Sequence, residues 1–158
     1  MFFEFEADFV ASLRCIPMQV RFKLDTCGVK LKLHQWNLFN AADRQALVDR
    51  PCTTAPDIQT YHDFLHETIH SRSGETATDL AIEPHPAWTV VTAIPKSVLE
   101  KVRSVNQTLS LVQWETLSPL QRFALIKLSR SNHENTNFLP ALEEFGCVNS
   151  LSPIETTA

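Results

Sequence analysis

A stretch beginning at Cys15, CIPMQVRFKLDTCGVKLKLHQWNLFNAADRQALV, returns at Ala93 as AIPKSVLEKVRSVNQTLSLVQWETLSPLQRFALI, offset by 78 residues with no gap. Eleven of the 34 positions are identical, where unrelated sequences share roughly two. Among them are Ile16/Ile94, Pro17/Pro95, Lys23/Lys101, Gln35/Gln113, Trp36/Trp114, Arg44/Arg122 and Leu47/Leu125. A duplication constrains the fold strongly, because whatever one copy forms the other must also accommodate. The pattern predicts a mainly α-helical protein with a single compact domain over residues 1–147. Two similar helical units of about 78 residues, at about 9–70 and 87–147, build it, and a mobile tail follows at 148–158.

Helix punctuation recurs in both copies. Pro17 and Pro95 suit a first helical turn, where a missing N–H costs nothing. Ile16, Val20 and Leu24 then fall at helical spacing, as do Ile94, Val98 and Val102. Gly28 and Asn106 follow, the residue types best suited to a left-handed cap. A short second helix holds each Gln-Trp pair, and a third starts after Asn40 or Ser118. Thr54 to Asp57 reads as the start of a further helix, whose stripe of Ile58, Tyr61, Leu65 and Ile69 ends before Gly74. Phe138, Leu142 and Phe145 line a last helix. Ser71 to Ala87 is the most loop-like segment and marks the junction. At the N-terminus Phe3 and Phe5 alternate with Glu4 and Glu6, a pattern for one short strand or a packed arm.

Composition narrows the function classes. Three glycines argue against a turn-dense β-barrel, and a net charge of -4 supplies no global field for nucleic acid. MFFEFEAD lacks a basic n-region, so no secretory signal is expected. No apolar run approaches the ~20 residues that span a bilayer. The expected location is the cytoplasm, with neither membrane nor nucleic acid as partner. Cys15, Cys27, Cys52 and Cys147 are scattered without a C-x-x-C pair and read as small apolar residues. No Gly-rich phosphate loop and no G-x-S-x-G elbow occur. The equivalence of Trp36 and Trp114 favours core packing over stacking on a ligand.

One motif points to chemistry of its own. HETIH, His66 to His70, matches the H-E-x-x-H pattern of zinc hydrolases, in which two histidines hold the metal and the glutamate acts as general base. His66, Glu67 and His70 are therefore an alternative metal and catalytic set, with His62 one turn earlier. Against it, the apolar stripe passes through Tyr61, Leu65 and Ile69, each directly before a histidine. That places the histidines at its edge, and no third ligand is evident, since Glu83 and His85 lie beyond a loop. A solvated histidine face, with no catalytic residue and no cofactor, is the simpler expectation. Two polar stretches fit a protein partner better. Arg14, Arg21, Lys23, Lys30 and Lys32 face only one acid, Asp25, in that segment. Arg130, His133, Glu134, Asn135, Asn137 and Phe138 follow the third helix of the second copy.

The combination of LRCIPM and KLDTCGVKLKL with LSLVQW and QRFALIKLSR, then HEN, NF, PAL and EEFG, resembles the nitrate reductase-associated protein family. Its members are small proteins encoded beside nitrate-assimilation genes, best known in cyanobacteria. The resemblance spans Phe3 to Gly146; Ser131-Asn132 stands where the family usually has Pro-Gly. It implies a non-catalytic accessory or maturation factor needed for active assimilatory nitrate reductase, with the reductase polypeptide as partner. Nitrate reduction itself needs a molybdenum cofactor and an iron–sulfur cluster, and four scattered cysteines lack cluster spacing. A regulatory binder of a small molecule is a further alternative. The oligomeric state is not indicated.

Overall fold

The computed structural model describes residues 2–130 and 136–148. These are mainly α-helical, as the sequence predicts, with one two-stranded sheet. Contacts divide the chain into two compact units, Met1–Pro84 and His85–Ala158. The expectations for His133, Glu134, Asn135 and the tail from residue 149 lie outside the described residues.

In the first unit the N-terminal segment is an arm and not a strand. A 3-10 turn at Glu4–Glu6 leads into a single-turn helix, α1 (Ala7–Val10). Phe3 is buried and stacks on Phe5 at 5.3 Å. The Glu6 carboxylate turns inward, and its two oxygens accept from the Met18 N–H at 3.3 and 3.2 Å. That contact defeats strand alternation, because it needs an acid pointing into the protein. It also supplies an N-terminal acceptor to α2 (Met18–Cys27), whose cap residue, Pro17, has no polar side chain. Pro17 thus sits one place outside the helix, and its carbonyl accepts from Val20 and Arg21.

α2 ends where Gly28 takes a left-handed φ of 72° and donates to Leu24 O. A short strand, β1 (Val29–Lys30), precedes α3 (Leu33–Leu38), α4 (Ala41–Asp49) and the long α5 (Ala55–Ser73). Reciprocal side-chain caps start α4, from Asn40 and Asp43, and α5, from Thr54 and Asp57. The expected loop after Ser71 contains a strand instead. β2 (Thr78–Asp79) pairs antiparallel with β1, Val29 opposite Asp79 and Lys30 opposite Thr78. Leu80 N–H then donates to Gly28 O at 2.8 Å. No periodicity marks two residues as a strand, so only backbone pairing to a distant partner makes one here. Val20, Leu24, Trp36, Leu47, Tyr61, Leu65 and Ile69 pack into this unit's core.

The second unit runs α6 (Lys96–Ser104), α7 (Leu111–Thr116), α8 (Pro119–Arg130) and α9 (Phe138–Glu144), after a 3-10 turn at Ala87–Thr89. Asn106 takes the left-handed position, φ 58°, that Gly28 takes in the first unit. Ser110 with Gln113, and Ser118 with Gln121, cap α7 and α8 reciprocally. The Gln-Trp helices also agree in detail. Trp36 and Trp114 are both fully buried. Trp36 Nε1 donates to Leu13 O at 2.9 Å, and Trp114 Nε1 to Val90 O at 3.0 Å. Arg44 and Arg122 each reach back to the carbonyl of their own unit's tryptophan. Among the described residues no helix is long and apolar enough to cross a membrane.

Candidate functional site

The local sequence of α5 creates a histidine pair. Its buried stripe of Tyr61, Leu65 and Ile69 packs inward, with the Tyr61 hydroxyl donating to Leu47 O at 2.7 Å. A helix turns about 100° per residue, so the next residue along falls at the stripe's margin. His62 and His66 occupy that margin one turn apart, half-buried, with ring centroids 4.2 Å apart. Both Nε2 atoms converge on one oxygen. Asp79 Oδ1 accepts from His62 at 2.9 Å and from His66 at 2.6 Å. β1 holds Asp79 there through the Val29 pairing.

A second carboxylate stands behind His62. Asp63 Oδ1 accepts from His62 Nδ1 at 3.1 Å and from Gln59 Nε2 at 2.9 Å. The charges respond as the geometry requires. Partial burial opposes the imidazolium of His62, but hydrogen bonds to Asp63 and Asp79 outweigh it and raise the pKa above its ordinary value. Hydrogen bonds from His66 and then His62 hold the Asp79 carboxyl below the usual range, and His62 does the same for Asp63. Beside the cluster lies a cavity of about 250 Å³, in which Ile58, Leu80 and Ile82 meet Gln59, His62 and Asp79.

The other residues singled out in the sequence are placed as follows. Glu67 and His70, from the HETIH pattern, are exposed, and neither joins the cluster. Arg14, Lys30 and Lys32 are exposed. Arg21 Nε donates to Ile16 O, and Lys23 Nζ donates to Val48 O at 2.6 Å and Arg50 O at 2.7 Å. Lys23 therefore secures the end of α4 and is half-buried. In the second unit Arg130 is exposed, Asn137 is half-buried and Phe138 is fully buried among packed apolar side chains. The four thiols are free, and Cys27, Cys52 and Cys147 are buried.

Sequence reasoning did not reach Asp79. It lies 13 residues beyond His66, across a loop, on a strand that periodicity does not reveal. The available signal was the four-residue spacing of His62 and His66, which shares one helical face as well as His66 and His70 do.

A family model described as conserved nitrate reductase-associated protein matches residues 2–145. The chain belongs to this family. No curated protein and no solved structure matches it. For this nitrate reductase-associated chain, both Gln-Trp helices and the whole histidine–aspartate cluster fall inside the matched region.

Proposed function

We propose that the protein is a non-catalytic accessory factor of assimilatory nitrate reductase. It acts in the cytoplasm by associating with the reductase polypeptide, either helping cofactor insertion or stabilising the mature enzyme. Family membership over residues 2–145 carries this reading, since the family is described by association with that enzyme.

The first unit offers a surface with suitable chemistry. Lys30 ends β1, Lys32 is the cap residue of α3 and Leu33 opens that helix, and Leu33 and Leu38 are 59% and 53% exposed. Large apolar side chains beside positive charges combine burial with steering toward an acidic patch, in a chain whose net charge is otherwise negative. Arg14 adds charge to the same unit, and the exposed Arg130 ends α8 in the other. Co-purification and titration calorimetry with the reductase test this surface. The paired substitution Lys30→Glu and Lys32→Glu, and separately Leu33→Asp, are expected to weaken association about tenfold, about 1.4 kcal/mol, at unchanged thermal stability. Unchanged affinity in both would remove the α3 surface.

A further inference from the structure

We propose that His62, His66 and Asp79 form a binding site for one divalent transition-metal ion of the zinc type. This is independent of the accessory role and differs from the H-E-x-x-H reading, because Glu67 and His70 take no part. The ligand atoms His62 Nε2, His66 Nε2 and Asp79 Oδ1 all lie within 4.8 Å of one another. A tetrahedral zinc ion with bonds of 2.0–2.1 Å sets its ligands about 3.3 Å apart. The two separations from Asp79 Oδ1, 2.9 and 2.6 Å, are shorter than this, and the exposed Asp79 side chain can lengthen them by rotating.

Three features favour a metal over a simple hydrogen-bonded cluster. Two imidazoles one turn apart, with ring centroids 4.2 Å apart, aim the same nitrogen at one point. Once both Nε2 protons leave, a single ion serves both lone pairs. Asp63 bonds to His62 Nδ1, which fixes the ring and leaves Nε2 as the ligand, the carboxylate–histidine arrangement that commonly supports protein-bound zinc. Gln59 in turn holds Asp63. Finally, the three ligands join α5 to β2, the strand that follows it across residues 74–77, so a bound ion would cross-link the two elements. Three protein ligands leave a fourth position for water or an incoming group, and a cavity of about 250 Å³ adjoins them.

Titration calorimetry of the full chain with zinc chloride, after EDTA treatment and dialysis, tests the site. The expected result is one ion per chain. His66→Ala and Asp79→Asn each weaken binding more than about tenfold, and Asp63→Asn about tenfold, as loss of a supporting carboxylate does elsewhere. Glu67→Gln and His70→Ala bind like the parent. Zinc also raises the melting temperature of the parent and of His70→Ala but not of Asp79→Asn. Matching circular dichroism spectra in EDTA establish that the substitutions leave the fold in place. An absence of binding, retention of parental affinity in both His66→Ala and Asp79→Asn, or equal loss in His70→Ala would overturn the proposal.

Discussion

At the level of single residues, Arg44 and Arg122, 78 positions apart, show how similar contacts acquire different weights. Arg122 is 5% exposed, and its guanidinium donates to the carbonyls of Trp88, Trp114, Glu115 and Leu117 at 2.6–3.4 Å. Arg44 makes the corresponding bonds to Trp36, Leu13 and Asn37 at 3.2–3.3 Å while half-buried. Lysine cannot reproduce a planar fork, and buried carbonyls left without donors keep their desolvation cost. Arg122→Lys should lower stability by about 2–3 kcal/mol in denaturant unfolding and Arg44→Lys by about 1 kcal/mol; equal losses would show that burial does not set the difference. The thiols follow the same logic. Burial pushes Cys27 up to about 12 and Cys52 up to about 11, so thiolate is scarce at pH 8. Half-exposed Cys15 should therefore alkylate first with iodoacetamide at pH 8, read by mass spectrometry. Cys27 and Cys52 should react only on unfolding, and modification of either one at the rate of Cys15 would contradict that placement.

Helices were legible in the sequence because their signals are local. Thr54 with Asp57, Asn40 with Asp43, Ser118 with Gln121 and the left-handed Gly28 and Asn106 all act within one turn of the element they delimit. The strand pair was not legible, because Asp79 meets Val29 from 50 positions away. The metal-capable cluster shared that fate, since its third member sits on β2. At the N-terminus the sequence left a strand or a packed arm open, and the structure forms the arm. Its period-two alternation is a strand signal, and a single long-range contact from Glu6 to Met18 overrides it. Gly28 ties these elements together. A Cβ there would lie 2.6 Å from Leu80 O and 2.7 Å from Ile82 Cγ1, with φ already left-handed. Gly28→Ala should cost more than about 2 kcal/mol, whereas Gly74→Ala, with nothing within 4 Å, should cost about 1 kcal/mol from strain alone. Comparable losses in thermal melts would mean that the approach of β2 to α2 is loose.

At the scale of the whole molecule, the sequence carries the helical class and the repeated punctuation, because these rest on periodicity. Family membership rests on long motifs spread over nearly the whole chain. Partner recognition is less legible. Of the basic residues between Arg14 and Lys32, Lys23 is spent on α4, while Lys30 and Lys32 stand exposed beside Leu33. Only tertiary structure separates a lysine that caps a helix from one that is left exposed. In the proposed accessory role, active nitrate reductase requires this protein. The most direct test of that role is nitrate reductase activity in a deletion strain grown with nitrate, with reductase polypeptide and reductase-bound molybdenum quantified alongside. Activity should be lost and restored by the parent gene. Polypeptide without molybdenum would assign the defect to cofactor insertion, and missing polypeptide would assign it to stability. Normal activity in the deletion strain would contradict the accessory role.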